Sequence, residues 1–426
     1  MLIKFRVENY RSICTEQVLE MTAGPVRTHP DQVVDFGDVR VLSAAMVFGA
    51  NASGKSNLVK AIADSSRFIT QGVPIGHNQY CRTSEGADGR PTGFEFTFRD
   101  GDDVYAYGYE VMLRDGTVTR EWLNKLTPNN SKSIFTREGS EIISDFKFNS
   151  DDSKAFYVYS NEVKNSSNLF LRALTRSTYA ADSVLSEAVR VMEWFRKKLI
   201  VLFPESRRSQ ETGSDLGLLR RMMTAYGTGV TEVGFERVEE GPFRFDGDLR
   251  PLGPKGVVNI LYNNELYRVR LVDGSNEMDK VVFRHGMASF DFVDESDGTR
   301  RLFDLAPLID PDNSDDVTYI IDELDRSLHP QLTRRFVKDF LKVAASHRRQ
   351  LIATVHESRL MDLNLIRRDE LWLVQMTSDG TELYSIEDFN ERGDRRVDRA
   401  YMEGRYGGVP CFRSLFPDLE EGDETD

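Results

Sequence analysis

Residues 49–56 read Gly49-Ala50-Asn51-Ala52-Ser53-Gly54-Lys55-Ser56, a G-x-x-x-x-G-K-S phosphate loop of Walker A type. Each position has a chemical task. Gly49 and Gly54 permit a tight backbone path that turns successive N–H groups toward phosphate oxygens. Lys55 is expected to reach the β- and γ-phosphates, and Ser56 to set its hydroxyl on Mg²⁺. Asn51, Ser53 and Asn57 complete the loop set expected to line a nucleotide. A second group is Val317-Thr318-Tyr319-Ile320-Ile321-Asp322-Glu323, an apolar strand ending in two acids, the Walker B form. Asp322 is expected to hold the Mg²⁺ shell, and Glu323 to orient and activate water for attack on a γ-phosphate. Positioning and charge stabilisation carry such a reaction, with no protein nucleophile. A third is Leu351-Ile352-Ala353-Thr354-Val355-His356, a buried-type strand whose terminal histidine can contact the γ-phosphate from the sheet's C-terminal edge. The fourth is Ser296-Asp297-Gly298-Thr299-Arg300-Arg301, a Ser-x-Gly turn that opens a helix and offers a hydroxyl and free N–H groups to an anion. Glu323, His356 and Lys55 are the expected catalytic residues.

These groups need elements to hold them. The apolar run 41–48 has strand character, and Ser56-Asn57-Leu58-Val59-Lys60-Ala61-Ile62 has helical spacing, so a strand, the loop and a helix over 55–70 follow one another. A helix over about 330–346 separates the Asp322 strand from the His356 strand. The chain opens with a strand over 2–7 and a turn at Asn9-Tyr10-Arg11-Ser12. Phe94-Glu95-Phe96-Thr97-Phe98 and Tyr105-Ala106-Tyr107-Gly108-Tyr109 form a hairpin signal around Gly101-Asp102-Asp103, and two more strands are expected near 119–126 and 132–136. Residues 165–203 turn helical, 205–216 read as a loop, and a short helix is expected near 216–226. Residues 229–238 and 256–284 return to strand patterns, with turns at Asn263-Asn264 and Asp273-Gly274. The last ten residues are an acidic tail, expected to be disordered.

Composition bounds the rest. A net charge of −14 over 426 residues argues against a generally basic nucleic-acid surface. Arginine pairs such as Arg207-Arg208, Arg220-Arg221 and Arg300-Arg301 leave a local nucleic-acid groove open. No apolar run approaches the roughly 18–20 residues of a membrane span, and the N-terminus has no signal-peptide core. Cys14, Cys81 and Cys411 show neither metal spacing nor a disulfide framework, so a cytoplasmic setting is expected.

The phosphate loop, Ser-x-Gly helix, Asp-Glu strand and strand-end histidine, in this order, resemble the ABC-type ATPase head. The resemblance is nearest to its soluble branch: the chromosome-maintenance and break-repair ATPases and the overcoming-lysogenization-defect (OLD) family. Ile3-Lys4-Phe5-Arg6-Val7-Glu8-Asn9-Tyr10-Arg11-Ser12 looks like that branch's opening strand and turn, and Asp322-Glu323-Leu324-Asp325-Arg326-Ser327-Leu328-His329-Pro330 like its Walker B and D-loop. Arg368-Asp369-Glu370-Leu371-Trp372-Leu373-Val374 and the segment 401–410 resemble the bacterial AAA15-type ATPases of phage-defence and abortive-infection systems. Residues 1–60 and 285–415 carry the likeness.

It implies an α/β fold, an ABC-type P-loop NTPase head with a mixed sheet core, an antiparallel β subdomain and an inserted helical and β region. The expected division is an N-terminal lobe over 1–126, an inserted region over 127–284 for partner or trigger recognition, a C-terminal lobe over 285–415 and a tail over 416–426. ATP with Mg²⁺ would be sandwiched between two heads, the phosphate loop of one facing Ser296 and Gly298 of the other. Arg11 and Ser12 would lie near the nucleotide, His356 would be the switch histidine, and the D-loop around Asp325 would cross the dimer interface. The glutamine of the family's Q-loop stays open between Gln71 and Gln79. Ser-Asp-Gly-Thr-Arg in place of Leu-Ser-Gly-Gly-Gln speaks against a transporter subunit. Only 70 residues follow His356, too few for the Toprim nuclease of some relatives, so a nuclease is expected on a separate polypeptide.

The expected function is therefore a Mg²⁺-dependent ATPase that forms a homodimer or higher oligomer and regulates a separate effector, a nuclease or toxin, in anti-phage defence. Two alternatives stand beside it. One is an ATP-locked scaffold that holds an effector with little hydrolysis. The other is a DNA-repair or chromosome-maintenance head, disfavoured because no long coiled coil is present.

Overall fold

The computed structural model describes residues 1–164, 166–204, 216–238, 257–263, 265–272, 275–311, 316–389 and 396–410. Its centre is a six-stranded mixed sheet. In chain order the strands and the helices that serve the site are β1 (Ala44–Phe48), α1 (Lys55–Gln71), β2 (Leu199–Leu202), α2 (Asp297–Leu305), β3 (Thr318–Ile321), α3 (Pro330–Ala344), β4 (Gln350–Thr354), β5 (Leu371–Thr377) and β6 (Gly380–Ser385). The spatial order is β2-β3-β4-β1-β5-β6. The first five run parallel, and only β6 is antiparallel, on β5. β1, β3 and β4 are buried throughout, as parallel strands covered on both faces require.

Alternation along β1 divides two cores. Ala45 and Val47 face α1, while Ala44, Met46 and Phe48 face the opposite layer, where Phe336 and Phe340 of α3 and Leu302 of α2 pack. α1 lies between the central sheet and a seven-stranded antiparallel sheet. Its Leu58, Ile62 and Phe68 meet Phe5, Phe94, Phe96 and Tyr109 of that second sheet. The second sheet has the spatial order Glu141–Ile143, Asn130–Glu138, Thr117–Thr127, Asp103–Met112, Thr92–Asp100, Leu2–Glu8, Gln17–Glu20. α1 begins at Gly54 and stops at Gly72, both in the left-handed region.

The hairpin and the two strands expected after it are present, with each strand longer than its clearest alternation. The expected boundary at residue 126 falls inside this sheet, which runs on to Ile143, and β2 from the expected insert is the edge strand of the central sheet. The reason is hydrogen bonding: a strand edge left at 126 would expose the ladder that Asn130–Glu138 completes. A helix over Ser150–Glu162 had no counterpart in the sequence reading. It has a weak apolar stripe, and its start is marked by Asn149, whose side chain accepts the N–H groups of Asp151 and Asp152. Part of the 256–284 strand region forms a hairpin sheet, Val257–Tyr262, Glu265–Val272 and Ser275–His285. The expected turn residues Asn264, Asp273 and Gly274, the 205–215 loop and the acidic tail lie outside the described residues.

The cysteine reading needs correction. Cys14 and Cys81 are paired, with Cα atoms 5.0 Å apart, and a separation of 67 residues hid this. Asn9 makes the pairing local in space: its Oδ1 accepts the Cys81 N–H at 3.1 Å and its Nδ2 donates to Ala87 O at 2.9 Å.

One buried carboxyl gives the fold a pH dependence. Glu370, ahead of β5, is fully buried, and burial pushes its carboxyl up to about 8 against the opposing Arg367 N–H. A carboxyl raised on folding holds its proton in the native state, so its contribution is complete at acid pH and is lost as pH rises through about 8. Glu370→Gln keeps the acceptor and cannot ionise. Its thermal midpoint should match the wild type near pH 5 and exceed it near pH 9; equal midpoints at both pH values would contradict the assignment.

Candidate functional site

The phosphate loop joins β1 to α1 at the C-terminal edge of the parallel sheet. Gly49 has φ +155° and lies so close to β5 that a Cβ there would stand 2.3 Å from Val374 O. Ala52 sits at φ +63° and Gly54 at φ +108°. Lys55, 6 % exposed, folds back over the loop and donates to Gly49 O at 2.6 Å and Ala50 O at 3.0 Å. Burial lowers its ammonium pKa, and the carboxylates of Asp322, Asp325 and Glu323 oppose that shift. The Ser53 hydroxyl is buried with no partner, and the N–H groups of Lys55 and Ser56 open the first turn of α1, where no preceding helical carbonyl exists to receive them. Such a cradle fits an anionic phosphate chain.

The acids meet this loop from β3. Ser56 Oγ donates to Asp322 Oδ1 at 3.1 Å, and Thr354 Oγ1 donates to the same oxygen at 2.7 Å. Thr354 also accepts the Glu323 N–H at 2.8 Å, so one hydroxyl at the end of β4 fixes both acids. Glu323 has φ +49°, a left-handed backbone that is costly for a residue with a Cβ. Its carboxylate faces His356 Nε2 at 3.9 Å and Arg326 Nη1 at 3.5 Å. The His356 and Glu323 side chains keep 44 % and 34 % exposure, so both open toward a ligand rather than the core. Among the described residues no cluster of three His, Cys, Asp or Glu side chains could hold a metal by itself. Ser56 and Asp322 are the oxygen donors that fit Mg²⁺ beside phosphate, a hard ion that takes few protein ligands.

Asp325 has an unforeseen task. Its Oδ2 accepts the N–H groups of both His356 and Glu357 at 2.7 Å, so the D-loop carboxylate holds the histidine loop of its own chain. Ser12 is brought to the phosphate loop: its hydroxyl accepts from Asn57 Nδ2 and from Thr381 Oγ1, each at 2.7 Å. Asn57 therefore braces the Ser12 turn in this structure. Arg11 turns toward α1, with Nε on Tyr10 Oη at 2.9 Å and Nη2 3.9 Å from Asp64. Of the two glutamines, Gln79 adjoins this turn, its carbonyl accepting Arg11 N–H at 2.5 Å, whereas Gln71 ends α1 in an exposed position. Asn51 is exposed at the loop's outer side. The Ser296 turn stands apart. Ser296 caps α2 by accepting the Thr299 N–H at 3.1 Å, and a Cβ on Gly298 would come within 2.9 Å of Ser327 O in the D-loop.

Two residues were missed. Thr354 carried a signal, a hydroxyl at the end of an otherwise apolar buried strand two places before His356. Thr381 carried none: it lies on β6, and only the fold brings its Oγ1 to Ser53 O at 3.0 Å beneath Gly54.

Three solved structures resemble the chain at a distance. An SMC head bound to the C-winged helix domain of ScpA has 14 % identity and a TM-score of 0.42, covering 90 % of this chain and 97 % of that one. The SMC head domain from Thermotoga maritima has 12 % identity and a TM-score of 0.36, covering 90 % and 98 %. An SMC head with an extended coiled coil, bound to the C-terminal domain of ScpA derived from Pyrococcus furiosus, has 13 % identity and a TM-score of 0.40, covering 95 % and 99 %. They carry no statement about this chain's ligands or partners. No curated protein matches the chain. A family model described as "AAA domain, putative AbiEii toxin, Type IV TA system" matches residues 44–362, a span that runs from β1 and the phosphate loop through the Asp-Glu strand to the His356 loop. The match spans about three quarters of the chain, and the chain belongs to this family of AAA domains.

Proposed function

We propose that the protein is a Mg²⁺-dependent ATPase whose hydrolytic site is shared between two heads. One observation supports this reading above the others. Lys55, Ser56, Asp322, Thr354, Glu323 and His356 converge on one cradle, while the anion-offering Ser296–Gly298 turn of the same chain caps its own helix and packs on the D-loop, with no hydrogen bond to the cradle among the described residues. The cradle is half a site, and a second head turned against it supplies the other half. The loop residues from Gly49 to Asn57 bind ATP, with Arg11 and Ser12 supporting them at the edge. Mg²⁺, held by Ser56 and Asp322, would neutralise charge on the phosphates. Glu323 orients and deprotonates water, and His356 contacts the γ-phosphate. Ser296 and Gly298 cover that phosphate from the partner.

The reading extends to a protein that regulates a separate effector, a nuclease or toxin, in anti-phage defence. Partner or trigger recognition falls within residues 127–284, outside the strands that complete the two head sheets, since the ATP-handling core is generic. The family's description, which names a toxin of a type IV toxin–antitoxin system, supports a two-component arrangement. The same words favour a second reading, in which this chain is itself the toxic member. Among the described residues no helix is long and apolar enough to cross a membrane.

Light scattering on the eluting protein tests the shared site. ATP and Mg²⁺ should convert monomers to dimers, most fully in Glu323→Gln and not at all in Lys55→Ala. A mass that ignores ATP in all three would overturn the shared site.

A further inference from the structure

Cys14 and Cys81 serve no step of the proposed reaction, yet their place is informative. They join two loops rather than two core elements. One is the turn after the opening strand Leu2–Glu8. The other is the segment from Gly72 to Pro91, which follows α1 and whose regular structure is one short 3-10 turn, Ala87–Gly89. The ring they close spans 67 residues and contains β1, the phosphate loop and all of α1. Thr83 Oγ1 stands 3.3 Å from each sulfur. Hydrogen bonds add to the tie: Gln79 O accepts the Arg11 N–H, and Asn9 accepts the Cys81 N–H and donates to Ala87 O.

From Cys14 a short path of contacts reaches the phosphate loop. A Cβ on Gly380 would stand 2.8 Å from Cys14 Sγ and 2.6 Å from Ser12 O, so the start of β6 lies directly on this turn. The Thr381 N–H donates to Ser12 O at 2.7 Å, and Thr381 Oγ1 donates to Ser12 Oγ at 2.7 Å and to Ser53 O at 3.0 Å. Asn57, in the first turn of α1, donates to Ser12 Oγ at 2.7 Å. Ser12 is thus clamped between the cysteine pair and the cradle. A cradle fixed before its ligand arrives loses less freedom on binding, and affinity rises accordingly.

We propose that Cys14 and Cys81 form a thiol–disulfide switch that sets the affinity of the cradle for ATP through the Ser12 turn. The proposal rests on the reading of the cradle as an ATP site. The co-reactant is a low-molecular-weight disulfide such as glutathione disulfide. Cys14, 4 % exposed against 0 % for Cys81, is the sulfur such a reagent reaches. Its thiolate attacks one reagent sulfur and expels a thiolate, giving a mixed disulfide. The Cys81 thiolate then attacks the Cys14 sulfur and expels the second. The protein loses two electrons and two protons, the reagent gains them, and one S–S bond replaces another. Excess reduced thiol reverses both steps. Paired, the Ser12 turn holds the phosphate loop ready and ATP binds tightly. Opened, the segment from Gly72 to Pro91 loses its covalent tie, the turn loosens and ATP binds weakly. Linkage makes the effect reciprocal: bound ATP resists reduction of the pair by the same factor.

ATP binding to the full chain, equilibrated with oxidised or reduced glutathione, tests this. Cys411→Ser in every sample keeps the third cysteine out of the exchange. In oxidised glutathione the protein should be two hydrogens lighter and should resist alkylation at Cys14 and Cys81 under denaturing conditions. Reduction should lower ATP affinity about fivefold or more, the size of an ordinary coupling between sites. Saturating ATP should shift the reduction equilibrium of the pair by the same factor. Ser12→Ala removes the shared hydroxyl and leaves the pair, so its two redox forms should bind ATP alike. A purely structural cross-link would lower the thermal midpoint on reduction and change neither the affinity nor the ATP-linked equilibrium. That result would overturn the switch. So would thiols that stay open to alkylation in oxidised glutathione, a reduced protein that unfolds, or a redox difference that survives in Ser12→Ala. If neither redox form binds ATP, the function reading fails and takes the switch with it; if both bind it equally, only the switch fails.

Discussion

Glu323→Gln should abolish turnover while leaving ATP bound. The side chain is about one-third exposed beside His356 Nε2 at 3.9 Å, and the backbone is fixed by the Thr354 hydroxyl at 2.8 Å and by Arg301 at 3.2 Å. Glutamine keeps this shape and these backbone contacts. It removes only the charge and the ability to take a proton from water. Loss of a general base of this kind lowers kcat about a hundredfold or more. Lys55, Ser56 and Asp322 are untouched, so ATP affinity should stay near the wild-type value. Phosphate release under single-turnover conditions, read beside nucleotide binding, checks both halves. Unchanged turnover would remove Glu323 from its role, whereas lost binding would mean that the substitution disturbs Asp322 next to it.

Gly54→Ala should be nearly as damaging, by a different route. Gly54 has φ +108°, which an L side chain adopts at a cost of about 1–3 kcal/mol. The added Cβ would stand 2.1 Å from Thr381 Oγ1 and 3.0 Å from Ser12 Oγ, inside any van der Waals distance. The loop must lift away from β6, breaking the Thr381 bonds to Ser53 O and Ser12 and displacing Lys55, the next residue. ATP affinity should fall about tenfold or more, with the thermal midpoint lowered as well. Adding Thr381→Ala removes the hydroxyl that blocks the methyl group but not the dihedral strain, so the double variant should recover part of the loss. Wild-type affinity in Gly54→Ala would contradict the close approach seen here.

How far these effects could be foreseen differs from residue to residue. The placement of the phosphate loop was legible because glycine, lysine and serine at fixed spacing have few other reasons to occur together, and a strand and a helix flanked them. The Asp322-Glu323 pair and His356 were legible for a similar reason: each ends an apolar run long enough to be a buried parallel strand. Ser12 was expected near the nucleotide from the resemblance, but Thr381 and Arg301 were not legible as parts of the same device. Their contacts join residues 369 apart in the first case and act on a backbone carbonyl in the last, and neither leaves a mark in local periodicity. Asp325 marks a D-loop expected to cross the dimer interface; that its carboxylate also holds the His356 loop of its own chain depends on where that loop returns. The Ser150–Glu162 helix escaped because its apolar residues form only a weak stripe, and β2 escaped because four residues after a helix look like that helix's end.

In the proposed arrangement one chain holds half a hydrolytic site. ATP turnover per subunit, measured against protein concentration at saturating ATP and Mg²⁺, tests it most directly. For a shared site the rate per subunit should climb with concentration and then level off, and should be absent throughout in Glu323→Gln. A measurable rate that stays constant down to the lowest concentration at which the protein is monomeric would show a site complete within one head, and would contradict it.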